Sequence, residues 1–599
     1  MRQFVMWLTL CVSTSVSWAA PDFRARPPED EMVYFVLPDR FENGDAANDM
    51  GGLGGDRLTT GFDPTHKGFY HGGDLKGLIA RLDYIQGLGA TAIWLGPIYK
   101  NKPVQGGPGQ ESAGYHGYWI TDFTRVDPHF GDDADMRAFV DAAHARGLKV
   151  YLDIITNHTA DVIQYRECPG SACAYRDKGN YPYSRKGGLA GPPINPGFAG
   201  DSVRGAANFA KLTDPNYAYT PFVPPAEADV KVPAWLNSPI YYHNRGNSDF
   251  VGESSLYGDF VGLDDLMTEN PRVVQGFIDI YGDWIERYGI DGFRIDTARH
   301  VNPEFWQAFI PAMLSRARSR GIPNFHIFGE VAAEGVDVAQ LARHTRVDKL
   351  PSVLDFAFAN AVGKLASGVE GTAMLARLYQ DDGLYEGGAA AAMRLPVFTG
   401  NHDFGRLAFI IRAARPNATD DEVLKRVMLG NAMMFLLRGV PVVYYGDEQG
   451  FVGHGIDQDS RQDMFASRVA SYNDQTLLGS SGTTVVANFN PQHPLYAQIA
   501  GLARLRQEQP ALRHGRQVVR AHGKSPGLFA ASRLSSDGVE LVVAFNTSTS
   551  TVVSQIEVEA TSVVFRALRG ACAAKASAPG SFRVEVPPLS YVVCQGVAQ

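Results

Sequence analysis

Residues 292–300 read Gly292-Phe293-Arg294-Ile295-Asp296-Thr297-Ala298-Arg299-His300, an apolar run that breaks into charge at its C-terminal end. Arg294 and Asp296 lie two apart, so on a strand both side chains point to the same face. Charged groups on a buried strand are costly unless they are paired or put to use. The stretch therefore reads as a buried strand carrying a chemical site at its C-terminal end.

Seven further apolar, β-rich runs accompany it: Val33–Leu37, Ala92–Leu95, Val150–Ile154, Phe325–Phe328, Val353–Phe356, Leu395–Phe398 and Val442–Tyr445. Continuous rather than alternating hydrophobicity marks strands buried on both faces, as in a parallel sheet. Helical patterns separate most of the runs. Asp132 to Arg146, for instance, opens on acids, carries an apolar stripe and ends in basic residues before Gly147. Eight strand–helix units predict an α/β protein built on a closed (β/α)₈ TIM barrel, whose site must lie at the C-terminal ends of the strands.

Two stretches break this rhythm. Residues 159–262 are rich in Pro, Gly, Asn and Tyr and poor in helical period, which predicts a subdomain inserted after the third strand. The barrel then occupies 30–158 and 263–513. Over 516–599 the helical signal gives way to short alternating strands such as Val539–Phe545 and Ser581–Val586, predicting a C-terminal antiparallel β-sandwich.

Polar residues gather at the ends of particular runs. The third ends in Asp153-Ile154-Ile155-Thr156-Asn157-His158, the fifth in Phe328-Gly329-Glu330-Val331 and the seventh in Phe398-Thr399-Gly400-Asn401-His402-Asp403. Asp296, Glu330 and Asp403 thus converge on one rim. Cleavage of a glycosidic bond needs one carboxyl to protonate the leaving oxygen and a second to attack or stabilise the anomeric carbon. Arg294 is expected to hold Asp296 ionised, and Glu330, crowded by acids, to stay protonated. Asp153 reads as a buried structural carboxylate and Asp447-Glu448 as rim structure. Trp235, Tyr241 and Tyr242 read as packing within the inserted subdomain.

A net charge of -9 over 599 residues argues against nucleic acid and fits a neutral substrate. Residues 1–19 combine a positive start, an apolar stretch and Ser17-Trp18-Ala19, the pattern of a secretory signal peptide cut after Ala19. The apolar stretch is short for a membrane anchor, so a secreted, soluble monomer is expected, extracellular or periplasmic, with no membrane contact after cleavage. With Cys11 removed, Cys168, Cys173, Cys572 and Cys594 remain, an even set that predicts two disulfides, each local to its own segment.

The four strand-end segments, in this order and spacing, resemble the signature regions of the α-amylase family of glycoside hydrolases (family 13), and the likeness covers nearly all of the chain after the signal. It implies Asp296 as nucleophile, Glu330 as acid/base and Asp403 as a third acid that grips substrate hydroxyls. Tyr115-His116-Gly117-Tyr118-Trp119 also resembles a family segment. That implies His116, Tyr118, Trp119, Arg294, Arg299 and His402 as substrate-binding residues.

The resemblance further implies structural Ca²⁺ at two places. Asn157, Asp265 and the backbone carbonyl of His300 match the family's central calcium site, which takes oxygen ligands. Asn43, Asp45, Asn48 and Asp49, with Gly72 and Asp74 downstream, resemble an N-terminal calcium loop of cyclodextrin glucanotransferases and some bacterial amylases.

The implied activity is a retaining hydrolase that cleaves internal α-1,4-glucosidic bonds of starch or maltodextrin, with an α-glucan as partner. A transglycosylase or cyclodextrin-active enzyme on the same scaffold is the alternative, and a non-catalytic glucan-binding protein a more distant one. His300 is a feature of relatives acting on α-1,4 chains. Arg299, where a lysine is common, and Asp264, where a proline is usual, depart from the pattern.

Overall fold

The computed structural model describes residues 22–168 and 173–598, so the proposed signal peptide lies outside the described residues. Seven parallel strands form the barrel sheet: β1 (Val33–Val36), β2 (Ala92–Leu95), β3 (Lys149–Ile154), β4 (Gly292–Ile295), β5 (His326–Gly329), β6 (Pro396–Val397) and β7 (Val440–Tyr444). Their order is β5-β4-β3-β2-β1-β7-β6. The expected sixth strand, Val353–Phe356, is instead a single parallel bridge between Val353 and Gly329. Leu354 N–H donates to Gly329 O at 3.0 Å and Asp355 N–H to Pro396 O at 2.9 Å, so this segment still closes the cylinder between β5 and β6. It cannot extend further, because the Asp355 side chain already caps the following helix by accepting from Phe358 N–H.

The barrel strands are buried on both faces, as their unbroken hydrophobicity requires. Gly292 opens β4 where a Cβ would lie 2.4 Å from His326 O and 2.6 Å from the Tyr151 ring, so no larger residue fits. Helix α1 (Asp133–Ala145) starts at Asp132, which shares a capping box with Asp135, and buries Met136, Phe139, Val140 and Ala143. Helix α2 (Pro271–Tyr288) places Pro271 in its first turn and ends on the left-handed Gly289. It packs beside α3 (Pro303–Ser319) against the barrel.

Between β3 and β4 runs the inserted segment. Its two ends are pinned by an antiparallel pair, with Asp264 opposite Thr159 and Asp265 opposite His158. Tyr183, Phe209, Leu212, Tyr217 and Met267 form a small core of its own. A bond joins Cys168 to Cys173 here, and another joins Cys572 to Cys594, the two local disulfides that the cysteine count predicts.

The C-terminal domain contains β8 (Arg516–Ala521), β9 (Leu528–Leu534), β10 (Glu540–Asn546), β11 (Val552–Glu557), β12 (Ser562–Arg569), β13 (Ser581–Val586) and β14 (Ser590–Ala598). One sheet has the order β8-β9-β10-β14-β12, and β11 pairs with β13 in a second. Alternation along the central strands divides the burial. Val542 and Ala544 face Phe582 and Val584 inside the sandwich, whereas Leu541, Val543 and Phe545 join the barrel's core. No helix among the described residues is long and apolar enough to cross a membrane.

Candidate active site

Arg294 organises the C-terminal end of the barrel. Its Nη1 donates to Asp153 Oδ1 at 2.8 Å and to Asp296 Oδ1 at 2.9 Å. Its Nη2 lies 3.0 Å from Glu330 Oε2. All four side chains are buried or nearly so. One guanidinium therefore gathers three carboxylates, from β3 and from the residues that follow β4 and β5, which is what its planar fork of donors allows.

Asp153 is held on every side: Trp94 Nε1 donates to its Oδ2 at 3.0 Å and Tyr118 Oη at 3.2 Å. Burial raises its carboxyl to about 6 against the pull of Arg294. With no oxygen left over for a substrate, it anchors Arg294, as the structural reading expects.

The chain after Asp296 turns sharply. Thr297 adopts φ 47° and ψ 34°, a left-handed conformation uncommon for a β-branched residue. Such backbone strain costs of order 1–3 kcal/mol and gathers at functional sites. Here it aims the Thr297 N–H at Glu330 Oε2, 2.9 Å away.

Burial raises both Asp296 and Glu330 to about 7. Arg294 opposes both shifts, while Asp153 and Asp403 add to that of Asp296, and Asp296 and Asp403 add to that of Glu330. The expectation that Arg294 holds Asp296 low is thus corrected: the guanidinium is shared among three acids and does not outweigh desolvation. The two carboxyls titrate as a pair whose protons leave in separate steps.

Asp403 differs. Its side chain is 48% exposed, with Oδ1 2.8 Å from Arg461 Nη2 and Oδ2 3.1 Å from His402 Nε2. Burial within the site works against ionisation, but His402, Arg461 and Arg294 outweigh it and hold the carboxyl below its ordinary value. Burial drives His402 down to about 3, so its imidazole is neutral. The Nε2 hydrogen then faces Asp403 and the Tyr118 hydroxyl at 2.8 Å.

Tyr118 forms part of an aromatic wall. Its ring stacks near His402 at 5.5 Å and near His116 at 5.5 Å, while Trp119 meets His116 edge-on at 4.6 Å. Burial also pushes His116 well below its ordinary value, leaving it neutral. Arg299, the outermost of the expected substrate residues, turns its Nη1 to Ala332 O at 2.6 Å.

The rim aromatics and acids read as structural are packed away. Trp235 lies against Phe277 and Tyr241, and Tyr242 bonds Lys231. Asp447 pairs with Arg406, and Glu448 accepts from Tyr34 and Tyr84.

Arg461 is the residue that sequence reasoning missed. Besides Asp403 it reaches His402 O at 3.1 Å and Tyr115 Oη at 3.2 Å, and it pairs with Asp457 at 2.5 Å. It sits in a loop with no period to read. The only signal was an arginine closing the acidic run Asp457-Gln458-Asp459-Ser460.

Of the metal candidates, Asn157 is buried beyond β3 and its carbonyl accepts from Leu266 N–H at 2.9 Å, which sets it beside Asp265. Asp265 Oδ2 lies 2.5 Å from His243 Nδ1, and His243 Nε2 lies 3.0 Å from Glu269. Burial pushes Asp265 up to about 7. His300 donates through Nδ1 to Ser255 O at 2.8 Å.

In the N-terminal loop, Asn43 Nδ2 donates to Asp49 Oδ1 at 2.8 Å, and Asn48 Oδ1 is buried with no partner. A Cβ on Gly72, at φ 98°, would lie 2.6 Å from Asp49 Oδ1. Asp74 accepts from Gly44, Asp45, Asn48 and Gly77, so it organises the loop and caps the next helix. Asp45 turns outward to Lys76. Among the described residues no cluster of three or more His, Cys, Asp or Glu side chains has metal-holding geometry.

The chain matches the family described as alpha amylase, catalytic domain, over residues 35–515. An α-amylase of Streptomyces lividans is 46% identical over 549 residues, which is 91% of this chain and 58% of that protein. A cyclomaltodextrin glucanotransferase of Geobacillus stearothermophilus is 27% identical over 490 residues, 81% of this chain and 55% of its own length. This chain thus spans little more than half of either relative. The crystal structure of an Anoxybacillus α-amylase superposes with a TM-score of 0.68 at 25% identity, covering 96% of this chain and 99% of that one. A barrel carrying these acids on these strands, matched over four-fifths of its length, places the chain in the α-amylase family.

Proposed function

We propose that the protein is a secreted, retaining glycoside hydrolase that cleaves internal α-1,4-glucosidic bonds of starch or maltodextrin. The observation that carries this reading is the single Arg294 guanidinium that holds Asp296 on one side and Glu330 on the other. Retaining hydrolysis needs two carboxyls roughly 5–5.5 Å apart, without room for a water between the second one and the sugar.

Asp296, ionised, attacks the anomeric carbon. Glu330, protonated, gives its hydrogen to the leaving glucosidic oxygen, and a glycosyl ester forms on Asp296 Oδ. Glu330 then takes a proton from water, which opens the ester and returns both groups to their starting state. A pair that shares one proton near neutrality supplies both roles at once. Asp403, kept ionised, accepts hydrogen bonds from sugar hydroxyls, and Tyr118 offers its face to the apolar C–H surface of the ring.

Calcium fits the chemistry of both proposed sites. The central one offers the Asn157 amide oxygen, the Asp265 carboxylate and the His300 carbonyl, all hard oxygen donors. The N-terminal one offers Asn43, Asn48, Asp49 and the Gly72 backbone. Its buried, unpartnered Asn48 Oδ1 and the space that Gly72 leaves beside Asp49 suit an ion. Burial and the neighbouring Asp39, Asp74 and Asp45 raise the Asp49 carboxyl, a charge that a cation would relieve. Bound there, the ion supplies charge compensation and ties loops together.

Transglycosylation on the same intermediate is the second reading, favoured by the likeness to a cyclomaltodextrin glucanotransferase. A time course of products from maltoheptaose separates the two. Hydrolysis gives only shorter chains with initial α-configuration, whereas longer chains or rings assign the enzyme to transfer. Absence of any cleavage would leave a glucan-binding protein.

A further inference from the structure

At the opposite end of the barrel, where the strands begin, a cavity of about 410 Å³ lies in the seam with the C-terminal domain. Arg394 and Arg438 reach it from the residues just before β6 and β7, Arg513 and His514 from the short helix before β8, and Arg516 from the start of β8. Glu29 and Asp382 are the only acids on its wall. Glu29 pairs with Arg394, Asp382 and Asp355 pair with Arg438, and Asp30 pairs with Arg513 and His514.

Behind this wall lie two more guanidiniums, both buried. Arg533 donates to Leu436 O, to Gly515 O and toward Met393 Sδ. Arg506 donates to the carbonyls of Phe435, Leu512, Glu29 and Gly439. Neither has a carboxylate partner among the described residues, and nor does Arg516. Six guanidiniums therefore face four carboxylates in one seam of a chain whose net charge is -9.

Buried charge is ordinarily paired, because desolvation is not repaid otherwise. Carbonyl groups at helix ends relieve Arg506 and Arg533 in part. Burial and the neighbouring guanidiniums nevertheless press both below the ordinary arginine value, to about 9 and about 10. Neither lines the cavity, but Arg533 donates to the wall residue Gly515 and both add positive charge behind the wall. A guanidinium does not give up its proton in proteins, so an anion held on the wall would offset that charge.

We propose that this seam is an oxyanion-binding site, which takes phosphate, free or as a monoester, on Arg394, Arg513 and Arg516 and thereby stiffens the junction between barrel and C-terminal domain. Planar forks converging on one cavity suit a tetrahedral oxyanion bearing several acceptor oxygens. Chloride, with a single small charge and no geometry, would gain less. The site is remote from Asp296 and Glu330, so its occupancy alters stability rather than turnover.

Calorimetric titration of the full chain with inorganic phosphate, and separately with methyl phosphate, tests this at constant ionic strength with chloride as the balancing anion. Saturable binding of one anion per chain is expected, with a melting temperature that rises with phosphate and not with chloride. The tighter of the two probes names the source. The Arg394→Gln/Arg516→Gln double variant changes exposed side chains and should keep full amylolytic activity while binding at least tenfold more weakly. Absence of saturable heat with both probes, or unchanged affinity in an active double variant, overturns the proposal.

Discussion

Arg294 Nη2 stands 3.0 Å from Glu330 Oε2, while the same residue, two positions before Asp296, holds that acid through Nη1. Neither carboxyl can turn away without abandoning a buried cation. This fixes which groups face the bond to be broken, and it makes the site's chemistry answerable to single substitutions.

Asp296→Asn should abolish attack on the anomeric carbon. The amide keeps the shape and an acceptor for Arg294, so the fold should persist while kcat on maltoheptaose falls by several orders of magnitude. Rates near those of the parent, with an unchanged melting temperature, would remove Asp296 from the nucleophile role.

Glu330→Gln tests the electrostatic cost of the site. A carboxyl whose folded pKa is raised, here from 4.5 to about 7, binds its proton more tightly in the folded state. Its ionisation therefore costs nothing below the unfolded pKa, and the cost is complete above the folded one. The variant should melt above the parent at pH 8, by a margin on the order of a few kcal/mol. That gap should close as pH falls toward 4. A gap independent of pH would contradict the assignment.

Asp153→Asn separates anchoring from catalysis. Loss of a buried, fully bonded carboxylate should destabilise the protein by about 1–3 kcal/mol. Because Asp153 helps to raise Asp296, its removal should also move the acid limb of the kcat/KM profile to lower pH. A purely structural effect would lower stability and leave that limb in place.

Arg461→Ala should release Asp403. The carboxyl loses a cation that holds it down and a fork that also grips His402 O and Tyr115. The expected loss in kcat/KM is on the order of 10²-fold, with the Asp403 pKa rising. Arg461→Lys should restore charge but not the three-way fork, and recover only part of the loss. A lysine variant equal to the parent would mean that charge alone matters.

Chelation should lower the melting temperature, and the shift should shrink in Asp265→Asn and in Asn48→Ala. A melt unmoved by chelator would remove calcium from both loops.

Much of this site was legible because it lies on strands. Arg294 and Asp296 announce themselves as charge inside an apolar run, and the same holds for Glu330 after Phe328. The barrel followed from continuous hydrophobicity, except where Asp355 spends its side chain on a helix cap and reduces a strand to one bridge. Arg461 was illegible since a loop has no period, and its role exists only through contacts with residues distant in sequence: Asp403 and His402, 58 and 59 positions away, and Tyr115, far earlier in the chain. The pKa of Asp296 was also hidden. Sequence places an arginine beside it but does not tell how many acids share that arginine or how deeply they are buried.

The most direct measurement is mass spectrometry of the protein after reaction with a slowly released fluoro-glucosyl fluoride. One fluoroglucosyl group, the reagent less its anomeric fluoride, should appear on the peptide containing Asp296 and disappear in Asp296→Asn. A label on any other carboxylate, or none at all while the enzyme is inactivated, would contradict attack by Asp296 across the Arg294-bridged pair.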